Sequence, residues 1–411
     1  MLEKLRKWVN SPLNTVVVCH QPEKQSEFKY LLMRRLLPSL MSLVVLITSL
    51  SRALAFDISA SQAILMDFIT GAILLEKDSD APVPPASLSK LMTSYMVFEE
   101  IRRGGLSLND MLPVSEKAWR MGGSKMFVEV GHDVSVQDLL RGVIVQSGND
   151  ACIVLAETIA GSEDAFSDLM TEQSYKIGMS NSTFKNATGW PHPEHRMSAR
   201  DVALLTKKII LDYPDLFSFF AEKEFTYNDI RQGNRNPLLY KNIGADGMKT
   251  GHTREAGYSL AATATQQGRR LILVLMGLES ARQRAVEAER LFDWGFRKFN
   301  NYQLFAAGDT VAKADIWLGK IARVPLIIEE NLTVTLPRDG REELRVSVAY
   351  NSPISAPINT GDVAATLRVK LPDSNMIELP LIAGKTVERA GLFGRLSGAL
   401  SYMLFGPPLD E

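Results

Sequence analysis

Three short groups of residues in this 411-residue chain have types and spacings that could do chemistry. The first is Pro84-Pro85-Ala86-Ser87-Leu88-Ser89-Lys90. Ser87 and Lys90 are three positions apart, so a helix sets them on one face. Two prolines just before them suit a helix start. A hydroxyl at a helix N-terminus sits where the dipole favours developing negative charge. A lysine within reach can take its proton once burial or a nearby cation lowers the ammonium pKa. Taken alone the pattern is weak: Ser26-Glu27-Phe28-Lys29 has the same form by chance. The second group is Ser147-Gly148-Asn149, whose serine could relay a proton and whose asparagine could hold a substrate amide. It too is weak alone, since Ser107-Leu108-Asn109 has the same form. The third is Lys249-Thr250-Gly251, followed by His252-Thr253. Gly251 lets another group approach the backbone closely. Lys249 and Thr250 can bind a carboxylate through charge-assisted and hydroxyl hydrogen bonds. In isolation, an exposed turn explains this triplet as well.

Positioning these groups falls to elements with readable periods. Ala63 to Phe68 and Ala72 to Leu75 flank Thr70-Gly71 as a hairpin. A mostly helical stretch follows to about Leu211, and Gln137 to Ile159 keeps helical spacing despite Gly142 and Gly148. Near Gly257 the period changes: Tyr258 to Thr265 and Arg270 to Met276 flank Gln266-Gln267-Gly268 as a second hairpin. This places Lys249-Thr250-Gly251 on or beside a strand. Ser280 is a candidate cap for a helix to about Phe296. Strands at both ends with helices between predict one α+β domain, residues 56–301, whose sheet collects both ends. Beyond it, Pro325 to Ile328, Leu332 to Leu336, Leu344 to Tyr350 and Val363 to Val369 are short strands separated by turns, a small all-β domain over 302–384.

The flanks read differently. Arg34-Arg35, an apolar run from Leu40 to Leu50 and Ala53-Leu54-Ala55 have the form of a cleavable export signal over 33–55, an uncleaved membrane anchor being the other reading. Residues 1–32 then stand as an extension before a start at Met33. In the tail, 385–411, Leu392, Phe393, Leu396, Leu400, Met403 and Leu404 fall on one face of a helix. Such a helix suits a membrane interface; docking on the β domain or on a protein partner is the other reading.

The groups gain specificity from their order: 60 positions separate Ser87 from Ser147, and 102 separate Ser147 from Lys249. In this order they resemble the penicillin-binding protein and serine β-lactamase superfamily. Ser147 to Cys152, Ser198-Ala199-Arg200-Asp201, Asn234-Arg235-Asn236 and Asp246 to Thr253 resemble its low-molecular-mass members, the serine-type D-alanyl-D-alanine carboxypeptidases. The fold that this implies is a penicillin-binding/serine β-lactamase-like transpeptidase domain, a β-sandwich-like domain and an amphipathic anchor. The implied reaction is removal of the terminal D-alanine from the peptidoglycan stem pentapeptide through an acyl-enzyme, in cell wall biogenesis and cell shape, with β-lactams as inhibitors. Ser87 would be the nucleophile and Lys90 the general base, its free amine favoured by the charge of Lys249. Ser147 would relay a proton to the leaving group, and Asn149 would hold the substrate amide. Lys249 and Thr250 would bind the terminal carboxylate, with Gly251 beside them. The N–H groups of Ser87 and His252 would form the oxyanion hole. Arg235 would be either a second carboxylate contact or part of a structural salt bridge, and Arg200 is structural.

The implied setting is the periplasmic face of the inner membrane. No cofactor is expected, and no metal either: Pro193 breaks the helical pairing of His192 with His195. A formal net charge of -1, from 46 basic and 47 acidic side chains, argues against nucleic acid as a partner. Two cysteines, Cys19 and Cys152, exclude a disulfide scaffold, and Cys152 reads as a buried inert thiol. Three rival readings remain. A class A–like β-lactamase would need an E-x-x-x-N loop between the second and third groups, and the one match, Glu224 to Asn228, comes too late. A peptidoglycan-binding scaffold would not need all three groups intact. A transpeptidase or endopeptidase differs only in acceptor.

Overall fold

The computed structural model describes residues 57–372, 374–394, 396 and 403. The expected signal, the leading extension and most of the tail, Leu400 and Leu404 included, lie outside the described residues. The described residues fall into two units, which part between Phe299 and Asn300. The boundary expected near 302 is therefore displaced by only a few residues.

The first unit is an α+β fold around one antiparallel sheet. Its strands are β1 (Gln62–Asp67), β2 (Ile73–Lys77), β3 (Ala245–Thr253), β4 (Gly257–Gln266) and β5 (Arg269–Leu278), in the order β2-β1-β5-β4-β3. The first strands thus pair with the last, as the strand signals at both ends predicted. The β1–β2 turn is closed by Asp67, whose Oδ1 accepts from the N–H groups of Ile69 and Thr70 at 3.0 Å. In β4 and β5 a six-residue run is buried on both faces, which explains their continuous apolar character. β3 forms one edge of the sheet.

Six helices matter for the site: α1 (Lys90–Arg103), α2 (Val136–Arg141), α3 (Asn149–Ala160), α4 (Glu163–Lys176), α5 (Ala199–Asp212) and α6 (Ala281–Lys298). Ser135, Ser162, Ser198 and Ser280 cap α2, α4, α5 and α6, each accepting a backbone N–H three residues on. The core between helices and sheet includes Leu88, Leu91, Phe98, Ile144, Phe166 and Ile272, all fully or almost fully buried.

The even helical spacing read from Gln137 to Ile159 breaks in the middle. After α2 the chain widens into a π turn, Gly142–Gln146, and Ser147 adopts the left-handed conformation (φ 61°, ψ 32°) before α3 begins at Asn149. The cause is tertiary. A Cβ on Gly142 would lie 2.3 Å from Met126 Sδ and 3.0 Å from its Cβ, so this turn packs tightly against a neighbouring segment and a side chain here would have to displace Met126. Non-glycine residues in that conformation cost roughly 1–2 kcal/mol. Such strain, held by packing, places Ser147 where no straight helix would.

The second unit is all β. A six-stranded sheet contains β7 (Thr310–Trp317), β8 (Arg323–Ile327), β10 (Arg345–Ala349), β11 (Ile354–Ser355), β12 (Val363–Lys370) and β13 (Met376–Ala383), in the order β10-β12-β13-β8-β7-β11. β6 (Phe299–Phe305) and β9 (Leu332–Pro337) form a separate pair. Val324, Leu326, Val334, Leu367 and Leu381 are among the side chains of its own core. Pro380, which has no N–H to give a ladder, pairs with Thr366 on one side only, because β8 meets β13 at Ile382 and Ala383.

Candidate active site

Ser87 lies in a 3-10 turn, Ala86–Ser89, that leads directly into α1. Lys90 is the first residue of that helix, so the three-residue spacing does bring the pair together: Lys90 Nζ donates to Ser87 Oγ at 3.0 Å. Lys90 is 1% exposed. Its other two donated bonds go to Asn149 Oδ1 at 2.8 Å and to the Thr188 carbonyl at 2.6 Å. Burial is the leading cause that pushes its ammonium down to about 8, with Arg235 as the cation that adds to it. Burial is thus the larger cause, and the mutual repulsion of Lys90 and Lys249 expected from the sequence is present beside it. Lys249 is itself held well below the ordinary lysine range, by burial first and then by Lys90 and Arg235.

These shifts set a pH dependence. A lysine that serves as base must be the free amine, so acylation that depends on Lys90 should be slow below about pH 8 and level off above it. At pH 6 only about 1% of a group with that pKa is deprotonated, and at pH 7 about 10%. The second-order rate constant for a fluorescent penicillin, measured from pH 6 to 9.5, should climb about tenfold per unit before its plateau. A flat profile would exclude Lys90 as the base.

Asn149, the first residue of α3, uses both ends of its amide. Oδ1 faces Lys90, and Nδ2 donates to the Gly122 carbonyl at 2.8 Å, leaving a second N–H on Nδ2 for a ligand. Ser147 is 1% exposed, and its hydroxyl makes no hydrogen bond among the described residues. A buried polar group left without a partner is costly, and a site of this kind is where one is expected to meet a reacting atom.

Strand β3 carries Lys249, Thr250, Gly251 and His252. It runs against the turn that carries Ser87 so closely that a Cβ on Gly251 would fall 2.9 Å from the Pro85 carbonyl oxygen and 3.3 Å from Ala86 Cβ. Glycine is required here for the approach of two backbones. Among the described residues, Lys249 Nζ donates to the Thr250 carbonyl at 3.3 Å. Thr250 is 6% exposed. The His252 ring is exposed and stacks on Tyr258 with centroids 4.0 Å apart, so its side chain is anchored beside the strand.

Arg235 donates to Ser124 Oγ at 2.7 Å, and no carboxylate pairs with it among the described residues. Of the two roles open to it, the structural salt bridge has no acidic partner among the described residues. Arg284, which the sequence did not single out, belongs to the same group of cations: burial lowers its pKa first, and Arg235 contributes. Its guanidinium lies over the Tyr258 ring and donates to the Ser259 carbonyl. Lys90, Lys249, Arg235 and Arg284 therefore share one region with no ion pair among the described residues. Arg200 is structural, as expected: it pairs with Asp80 and Glu76, away from these groups.

Two supports were not foreseen. Asp150 is fully buried and accepts the N–H groups of Met126, Phe127 and Val128, which fixes the segment that carries Gly122 and Ser124. Asn186 Oδ1 accepts four backbone or hydroxyl donors from Thr188, Gly189 and Trp190, which presents the Thr188 carbonyl to Lys90. The Asn-x-Thr-Gly turn chemistry was a signal for the second. Cys152 is buried, free and donates to the Gly148 carbonyl; burial pushes its thiol up to about 12, which makes it inert.

A serine paired with a buried, depressed lysine, a second buried serine and a cation-lined strand edge form a constellation for acyl transfer to a ligand bearing a carboxylate. Comparison with known proteins agrees. Residues 48–280 match the D-alanyl-D-alanine carboxypeptidase family, and residues 299–389 match the C-terminal domain of penicillin-binding protein 5. The D-alanyl-D-alanine carboxypeptidase DacC of Escherichia coli is 42% identical over 348 residues, 83% of this chain and 87% of that protein. The structure of penicillin-binding protein 5 from Haemophilus influenzae superposes with a TM-score of 0.74 at 37% identity, covering 81% of this chain and 98% of the other. Penicillin-binding protein D2 from Listeria monocytogenes, solved in an ampicillin-bound form, superposes with a TM-score of 0.54 at 30% identity over 59% of this chain and 99% of its own. With more than half of its length matched and relatives of this identity, the chain belongs to the serine D-alanyl-D-alanine carboxypeptidase family.

Proposed function

We propose that this enzyme hydrolyses the terminal D-alanine of the peptidoglycan stem pentapeptide at the outer face of the cytoplasmic membrane, by the following steps. Ser87 Oγ attacks the carbonyl between the two D-alanines while its proton passes to the Lys90 amine. The C–N bond breaks, and the leaving D-alanine nitrogen takes a proton through Ser147. Water then attacks the acyl-Ser87 ester, giving up a proton to the same base, and Ser87 regains its hydroxyl. The carboxylate of the departing residue is held by Lys249 and Thr250, with Arg235 free of any carboxylate partner among the described residues and so able to join them. A β-lactam follows the first half of this path and stops at the acyl-enzyme. The observation that carries the reading is the 3.0 Å contact from Lys90 Nζ to Ser87 Oγ, made by a lysine that burial has poised near neutrality.

The direct test is D-alanine release from diacetyl-Lys-D-Ala-D-Ala by the full chain, with fluorescent penicillin as a second readout. Release is expected, together with a label that survives denaturing electrophoresis. Labelling without release would point to an amine rather than water as acceptor; label lost within seconds would point to a β-lactamase.

Export and membrane attachment are also part of this proposal. The signal-like residues 33–55 support export. In the tail, Leu392, Phe393, Leu396 and Met403 are 71%, 91%, 68% and 82% exposed, an apolar set suited to an interfacial helix. No helix among the described residues is long and apolar enough to cross a membrane. Deleting residues 389–411 should move the enzyme from the membrane to the soluble fraction. Persistent attachment after demonstrated signal cleavage would reject the tail as the anchor.

A further inference from the structure

His195 is only 2% exposed and lies against the turn that carries the nucleophile, yet the reaction as written does not use it. Its Nδ1 accepts the N–H of Lys185 at 3.3 Å, which puts the ring proton on Nε2. Nε2 lies 2.8 Å from Ser89 Oγ. Since that ring nitrogen is the donor, the Ser89 oxygen is the acceptor, and the serine's own proton must point elsewhere. It points to the Ala86 carbonyl, 3.1 Å away. Ala86 immediately precedes Ser87, is 2% exposed, and holds a left-handed φ of 48°, a conformation that needs support from its surroundings.

The segment that carries His195 also touches this turn elsewhere. Thr93 Oγ1 donates to the Ala187 carbonyl at 2.6 Å, and Lys90 Nζ donates to the Thr188 carbonyl at 2.6 Å. A Cβ on Gly189 would lie 1.8 Å from the Ala86 oxygen, so the two backbones are in close contact. Ser89, Lys90 and Thr93, all at the start of α1, therefore grip one loop, and that loop returns through His195 to the residue before the nucleophile. Burial pushes the His195 imidazole down to about 3, so the ring is neutral at any working pH and can serve as a fixed donor. A leucine could fill the same space. The extra cost of burying an imidazole is offset only if its two nitrogens are used.

We propose that His195 is a positioning residue for acylation: its Nε2–H locks the Ser89 hydroxyl onto the Ala86 carbonyl and so fixes the direction in which Ser87 Oγ is presented. This rests on Ser87 being the nucleophile. Misplacement of a reacting atom by about 1 Å costs up to about 100-fold in rate, and loss of one orienting bond is expected to cost about tenfold.

The test uses the full chain in detergent with fluorescent penicillin, reading both the fraction of protein labelled at completion and the acylation rate constant. His195→Leu keeps the bulk and loses the donor; it should label to full stoichiometry but about tenfold more slowly. His195→Gln brings an amide N–H to the reach of Nε2 and should recover to within about twofold. Ser89→Ala should be as slow as His195→Leu, and the double variant no slower than either. The proposal is overturned if His195→Leu acylates at the wild-type rate, if His195→Gln is as slow as His195→Leu, or if the two losses multiply in the double variant. Should His195→Leu fold poorly, seen as low stoichiometry, Ser89→Ala decides alone, and a wild-type rate there overturns the proposal. Absence of labelling in the wild type would instead refute the assignment of Ser87.

Discussion

Ser87→Ala is expected to abolish D-alanine release and penicillin labelling together, with a loss on the order of 10⁶-fold in turnover, the scale seen when a catalytic serine is removed. Among the described residues, its hydroxyl alone is bonded to the depressed lysine, and the residue is partly exposed. Ser147 is a poor substitute, because it is 1% exposed. Cys152 cannot replace it either, as a fully buried thiol with a pKa near 12 offers almost no thiolate. The variant should remain folded: Ser87 is only half-buried, and Lys90 retains Asn149 and Thr188 as acceptors. Unfolding temperature, label and release, measured on the same preparation, check all three parts. Label that survives would mean another nucleophile.

Ser147→Ala is expected to separate stability from activity. The hydroxyl is buried without a partner, and such a group costs about 1–3 kcal/mol. Alanine keeps the backbone position and removes that cost, so the variant should be more stable by about 1 kcal/mol. Turnover should fall by about 10²–10⁴-fold, the usual contribution of a positioned proton donor, because the leaving nitrogen loses its proton source. Penicillin acylation should slow as well, since the β-lactam nitrogen is also a leaving group. Thermal unfolding together with D-alanine release provides the check. A variant that keeps full turnover would remove Ser147 from the mechanism, whatever its stability.

How far the sequence revealed this site depended on whether the relevant forces were local. The Ser87–Lys90 pair was readable because a helical start fixes a three-residue spacing. The place of Lys249-Thr250-Gly251 was readable because hairpin periodicity begins immediately after it, and the packing of β3 on the nucleophile's turn gives Gly251 its reason. The sheet closed as predicted because its first and last strands each carried an unambiguous pattern. Other features depend on contacts between distant residues. The π turn before Ser147 reflects Gly142 against Met126, and local spacing there still looks helical. The partner of Arg235 is Ser124, more than a hundred positions away. The cause of the Lys90 shift is burial first, a property of the folded chain that a list of neighbouring charges cannot supply. In the β unit, β7 and β13 were not among the strands read from the sequence.

The basic side chains gathered around Ser87 have a consequence for encounter as well as for chemistry. With no ion pair to neutralise them among the described residues, Arg235 and Arg284 leave a positive potential concentrated by the low-dielectric walls of the cleft, to which Lys90 and Lys249 add in their protonated forms. A chain whose formal net charge is only -1 thus presents a local attractor that its overall composition hides. Molecules that end in a carboxylate are drawn in along that field and pre-oriented before contact, while their amides are not. Mobile anions weaken the pull over a distance of about 8–10 Å at physiological salt. Capture by this enzyme is therefore a property of the protein and its electrolyte together.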